Sequence, residues 1–225
     1  MIDTPISSSS STELPRRRSG RPDKPIPRSE LLRVARELYA ARGYAGVSMA
    51  DVAHKAGLQK SSLFHHFPTK DQLYKEVLDG VLQEVGDAVK ASLVDESGSW
   101  LERLDASAIA TARILGGDSS RARLILREML NDEGERSHVD GVLKMLDLTV
   151  AFLEKGAAAG AWPQQDFKQL TLTIAGIHSY YFAVPGITKT VSGHDPFDAG
   201  AVDRRVAAVR DQVRRLLGVA PLQQA

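Results

Sequence analysis

The side chains best equipped to touch another molecule lie between Ser48 and Phe67, in the run SMADVAHKAGLQKSSLFHHF. Lys60 is a point charge for phosphate or for guanine acceptors, Ser61 and Ser62 can donate or accept at base edges, and Phe64 can lie against a thymine methyl. Gln59 stands at the head of the same group, and His65 and His66 can donate to phosphates, more strongly when protonated. The adjacent histidines do not suggest a metal. Neighbours on a helix point about 100° apart, and no carboxylate sits four residues from either one. The chemistry on offer is contact with nucleic acid.

Two short helices joined by a glycine turn must position these groups. Ser48 is a good N-cap, and Asp51 three residues on favours the positive end of the first helix. Val52, Ala53 and Ala56 form an inward face, and Gly57 can take the left-handed conformation that ends the helix. Leu58 follows as a core plug, and Leu63 and Phe67 anchor the second helix from one side. Helix, turn, helix is the layout in which the second helix enters the major groove.

Residues 30–78, ELLRVARELYAARGYAGVSMADVAHKAGLQKSSLFHHFPTKDQLYKEVL, resemble the DNA-binding domain of the TetR family of bacterial transcriptional repressors. The resemblance rests on the helix ending at Gly43-Tyr44, the Ser48 cap, Ala56-Gly57-Leu58 and the run from Leu63 to Lys70. It implies that Ser48, Thr69 and Lys70 grip phosphate, although Ser48 and Thr69 are also helix caps that need no DNA to explain them. Family members usually carry tyrosine where Phe64 and His66 stand, so Phe64 offers only apolar contact while His66 keeps a donor. The resemblance further implies a homodimer on a palindromic operator, joined through the last two helices of each subunit. It also implies a small, apolar effector in a pocket among the C-terminal helices. Candidate pocket residues are Trp100, Leu104, Arg127, Met129, Met145, Phe152, Trp162, His178, Tyr181 and Phe182.

Bulk properties fit that reading. The chain has 225 residues and no cysteine, so disulfides and thiolate metal sites are excluded. No apolar run approaches the roughly 20 residues needed to cross a bilayer, and the N-terminus lacks the apolar core of a secretory signal, so a cytoplasmic protein is expected. Net charge is +1, yet residues 1–70 hold 12 Lys or Arg against 6 Asp or Glu, leaving an acidic remainder. A basic end on an acidic body suits a partner rich in phosphate.

Residues 1–28 carry a serine run, five prolines and Arg16, Arg17, Arg18 and Arg21, and read as a flexible basic arm that can reach DNA. Ser29 is expected to cap a helix that ends at Gly43, and Thr69 a long helix with Leu73, Val77, Val81, Val85 and Ala88 inward. That long helix leaves the motif and enters the remainder of the chain, which makes it the lever between the two. Further helices are predicted over 99–115, 119–131, 136–159, 166–184 and 200–217, with breaks at 131–134 and from Pro185 to Pro196. Phe167, Leu170, Ile174 and Ile177, and Val202, Val206, Val209, Val213 and Leu216, follow the a/d spacing of helices packed side by side. They are expected to form the dimer interface, the alternative being an intrachain core.

The expected architecture is all-α. A basic arm (1–28) precedes a three-helix helix-turn-helix domain (29–75) and a C-terminal helical ligand-binding and dimerisation domain (76–225). No Gly-rich phosphate loop, HExxH or nucleophile elbow appears, so no catalytic residue, metal or cofactor is assigned. The function expected is a ligand-responsive transcriptional repressor. Its rivals are an effector-independent helical DNA-binding protein and a helical enzyme acting on an anionic substrate.

Overall fold

The computed structural model describes residues 26–130 and 140–219, and no strand occurs among them. Arg16, Arg17, Arg18 and Arg21 lie outside the described residues, as does the expected break at 131–134. Helices α1 (Arg28–Arg42), α2 (Met49–Lys55) and α3 (Lys60–His66) precede the long α4 (Lys70–Val94). Leu31, Leu38 and Tyr39 of α1 meet Val52, Leu63, Phe67, Leu73 and Leu78 in a first core. Ser29 does not cap α1. The Pro27 carbonyl accepts from the Glu30 and Leu31 amides (3.0 and 3.2 Å), so the helix starts one residue before the serine. Proline supplies the first turn with a preset φ of −57°.

α5 (Trp100–Gly116), α6 (Ser119–Met129), α7 (Asp140–Ala158), α8 (Phe167–Ala183), α9 (Pro185–Ser192) and α10 (Ala201–Leu216) complete the described helices. Phe152, Leu153, Phe182, Val209 and Leu217 centre a second core, with Val85, Val89 and Leu93 from the far half of α4. α4 therefore serves both cores, and the change falls between Val81 and Val85. At 25 residues it is about 37 Å long, so a tilt at one end is carried to the other.

α9 occupies the stretch expected as a break. Proline is welcome at the first helical position, where its missing N–H would have no partner, and Pro185 sits there. Two contacts fix the remaining layers. Buried Asp105 of α5 accepts from Arg210 (2.7 Å) and from Arg214 of α10. Trp162 donates from Nε1 to the Leu153 carbonyl (2.9 Å) and lies so close to α7 that a Cβ on Gly156 would sit 2.1 Å from its ring.

Candidate nucleic-acid interface and ligand cavity

The α2–α3 unit is built by local chemistry. Ser48 Oγ accepts from the Asp51 amide (3.1 Å) while the Asp51 carboxylate accepts from the Ser48 amide (2.7 Å), a reciprocal cap. The Ser48 hydroxyl also donates to that carboxylate (2.6 Å), and this bond, followed by the one from the Ser48 amide, holds the Asp51 carboxyl below the usual carboxylate range. Gly57 turns the chain at φ +70°, and the Leu58 amide returns to the Ala53 carbonyl (2.8 Å). Leu63 and Phe67 are buried, which rotates Lys60, Ser61, Phe64, His65 and His66 to the surface, with Gln59 exposed at the head of α3 and Ser62 half-buried.

Ser48, Lys60, Phe64 and Lys70 share one open hollow with the turn that precedes α2. Lys60 Nζ stands 5.7 Å from the centre of the Phe64 ring, and Lys70 Nζ 4.1 Å from that of Tyr44. The Tyr44 hydroxyl donates to Asp71, which holds the ring under the lysine. Thr69 is exposed and caps α4, accepting from the Gln72 amide (3.1 Å). Arg28, the last residue of the arm, is tied back: it pairs with Glu76 (2.6 Å), donates to the His66 carbonyl (3.1 Å) and lies over Phe67. The role of Tyr44 as a lysine rest was not foreseen, because nothing in spacing links residues 44 and 70.

Above the second core a cavity of about 300 Å³ opens between α4, α5, α6, α7 and α8. Of the candidate pocket residues, Leu104, Met129, Met145 and His178 line it; Thr171, Ser107 and Thr111 line it too and went unremarked. Six candidates lie elsewhere. Trp100, Phe152 and Trp162 pack on one another, with Arg103 over the Trp100 and Phe152 rings (4.8 and 5.1 Å). Phe182 is buried against Tyr181 and Phe197, Tyr181 receives Arg205 on its face at 4.3 Å, and Arg127 reaches back to α1. Large aromatic residues filled the core and left the cavity to smaller ones. Among the described residues, no Asp, Glu, Lys or Arg lines it. Burial, helped by the charge of Arg205, pushes the His178 imidazole down to about 4, so it is neutral at physiological pH.

A family model described as "Bacterial regulatory proteins, tetR family" matches residues 31–77. Those residues are a TetR-family DNA-binding domain. The chain is 30% identical over 109 residues to the HTH-type transcriptional repressor KstR2 of Mycobacterium tuberculosis, covering 48% of this chain and 52% of that one. It is 32% identical over 109 residues to the HTH-type transcriptional activator FasR of Mycolicibacterium smegmatis, covering 48% and 49%. The chain thus spans about half the length of the curated relatives it matches. The solved structure of AibR with isovaleryl coenzyme A and operator DNA superposes at a TM-score of 0.68 with 21% identity, over 86% of this chain and 98% of that one. That likeness extends the shared TetR fold across both cores.

The residues expected to join two TetR-like subunits are placed mostly inside the chain. Phe167, Leu170, Val206, Val209 and Val213 are buried in the second core, Ile174 lines the cavity, and Val202 packs against the place of Gly116. Only Leu216 is openly exposed, with Ile177 in a groove beside α9. The a/d stripe was real but faces inward, because a helix apolar on two sides does not declare which side is the core. On α8 and α9 the large apolar residues that face outward are Leu172, Tyr180, Ile187 and Val191, the last 82% exposed. Among the described residues, no helix is long and apolar enough to cross a membrane.

Proposed function

We propose that this chain is a ligand-responsive transcriptional repressor that binds a palindromic operator as a homodimer and leaves it when a small, largely apolar molecule fills the cavity. The observation that carries this reading is α3: it is anchored by Leu63 and Phe67 and turns Lys60, Ser61, Phe64, His65 and His66 outward. Seven residues held that way are shaped for a major groove, with Lys60 and Lys70 set for the flanking phosphates. The relatives support regulation of transcription, KstR2 as a repressor and FasR as an activator. Repression is the sign we adopt.

α4 and α6 supply the route from cavity to DNA. Leu82 and Val85 of α4 and Leu126 and Met129 of α6 line the cavity, while Leu73 and Leu78 of α4 sit in the first core. A ligand that spreads these walls changes the seat of the DNA-reading unit. Linkage then requires DNA and ligand to weaken each other by the same factor. For a dimer, the outward face of α8 and α9 is the surface we assign to pairing.

A gel shift with the DNA upstream of the protein's own gene, repeated across salt and with Lys60→Ala, tests the reading. Site-selective binding that falls steeply with salt is expected, with a preference of at least about 10³ over bulk DNA. Equal binding to every fragment would leave only a non-specific binder.

A further inference from the structure

The cavity wall contributed by α8 alternates in polarity along the helix: Thr171, then Ile174 and Ala175, then His178. Thr171 is 3% exposed and His178 6%. Among the described residues, neither Thr171 Oγ1 nor His178 Nδ1 has a hydrogen-bond partner. Ser107 and Thr111 of α5 also line the cavity, and two further hydroxyls, on α7 and α8, behave differently from the orphaned pair. Thr149 Oγ1 donates to the Met145 carbonyl (3.0 Å) and Ser179 Oγ to that of Ala175 (2.7 Å), the usual return of a helical hydroxyl to its own backbone. Thr171 leaves that bond unmade while lining the cavity. Buried polar atoms without partners are rare and costly, and two on one wall call for a group that answers both.

Seven residues separate the two, which is two turns of helix and about 10 Å along its axis. A single oxygen cannot serve both. We propose that the cavity takes an elongated, uncharged molecule with an apolar middle and a hydrogen-bonding oxygen at each end, one end bonded to Thr171 and the other to His178. The apolar middle lies along Ile174 and Ala175, in a cavity that Val85 and Leu104 also line. Ionised ends are excluded because the lining holds no cation among the described residues, and an unpaired carboxylate in such a place is far costlier than a hydroxyl. At about 300 Å³ the space is at the small end for ligand pockets, which favours one such molecule without a large polar appendage. The inference rests on the reading of this cavity as the effector site.

Calorimetric titration of the full chain with 1,8-octanediol, its dianionic counterpart suberate at pH 8, and p-xylene tests it. The diol should bind, and suberate at least about tenfold more weakly. Thr171→Val and His178→Leu should each weaken the diol about tenfold while holding p-xylene within about twofold, which shows that the cavity is intact. Thr171→Ser, which keeps the hydroxyl, should bind the diol as the parent does. Diol binding unchanged in both deletions, suberate binding as tight as the diol, or p-xylene binding without the diol would each overturn the two-ended ligand and leave the effector cavity standing. Binding of none of the three would remove the cavity as a ligand site altogether.

Discussion

Arg127 of α6 donates from Nε to the carbonyl of Ala40 at 2.9 Å, and from Nη2 to that of Ala41 at 3.1 Å. The final carbonyls of α1 have no partner in their own helix, and a cation at that end also meets the negative pole of the helix dipole. One residue to either side, Leu126 lines the cavity and the Glu128 carboxylate accepts from the Tyr74 hydroxyl of α4 (2.6 Å). α6 is thus stapled to both helices that carry the DNA-reading unit. Arg127→Ala should lower the melting temperature by about 2–4 °C, corresponding to about 1 kcal/mol for a half-exposed charged bond. Amides from Gly43 to Gly46 should exchange faster. A variant with unchanged melting and exchange would show that the staple does not hold.

Lys60 and Lys70 rest on aromatic faces and form no ion pair among the described residues, so each is available to a phosphate. Replacing either with alanine should reduce the slope of log affinity against log salt by about 1, with sequence preference kept. Phe64→Tyr adds a hydroxyl at an exposed position of α3 and should tighten operator binding about fivefold, the worth of one hydrogen bond. Anisotropy titrations at several salt concentrations read both effects. A slope that does not move in Lys60→Ala would take that lysine off the DNA.

Asp105 is 7% exposed at its side chain and receives two arginines, Arg210 and Arg214, from α10. Truncating the shared acid leaves two half-buried cations facing each other without a counter-charge. Asp105→Ala should therefore cost about 3 kcal/mol or more, a fall of about 10 °C. Differential scanning calorimetry checks it. A loss under about 1 kcal/mol would mean that solvent already screens the cluster.

The helix-turn-helix half was legible because its signals are local. Ser48, Gly57, Leu63 and Phe67 each act within seven residues, and each does in the fold what its type and spacing suggested. Ser48, Lys60, Phe64 and Lys70 also meet in one hollow. The C-terminal half was legible as helices but not as surfaces. Trp100, Phe152 and Trp162 drew notice as large aromatics, yet the cavity is made by what small side chains leave unfilled. Thr171 carries no sequence signal, since its importance lies in a hydrogen bond it does not make. α9 was missed because the eight residues from Pro185 to Ser192 are too few to display a period.

Ile187 and Val191 of α9 stand exposed beside Tyr180 of α8, an apolar face larger than isolated surface residues make. If this face joins two copies, Ile187→Arg should give a monomer by light scattering at micromolar concentration with helix content intact. Val209→Arg should instead unfold the chain, because Val209 is fully enclosed in the second core. A dimer that survives Ile187→Arg would move the interface elsewhere.

His178 provides a test of the cavity's interior that needs no ligand. Its pKa falls from an ordinary 6.5 to about 4, chiefly through burial and then through Arg205 of α10; among the described residues no other titratable side chain lines the cavity. Above pH 6.5 the group is neutral in folded and unfolded chains alike and stability does not depend on it. Below 6.5 the unfolded chain takes up a proton that the fold refuses, so stability is lost as pH falls toward 4, by about 3 kcal/mol in all. Carboxylates held below their usual range, such as Asp51 and Glu102, are lost in the same direction as acid is added, so the parent curve alone cannot isolate the histidine. His178→Gln can. Urea unfolding of parent and variant from pH 7.5 to 4.5 should show the variant gaining on the parent only below pH 6.5, and increasingly so. A difference between the two that stays constant over that range would mean that the imidazole takes its proton in the folded chain as easily as in water, and the burial assigned to His178 would be wrong.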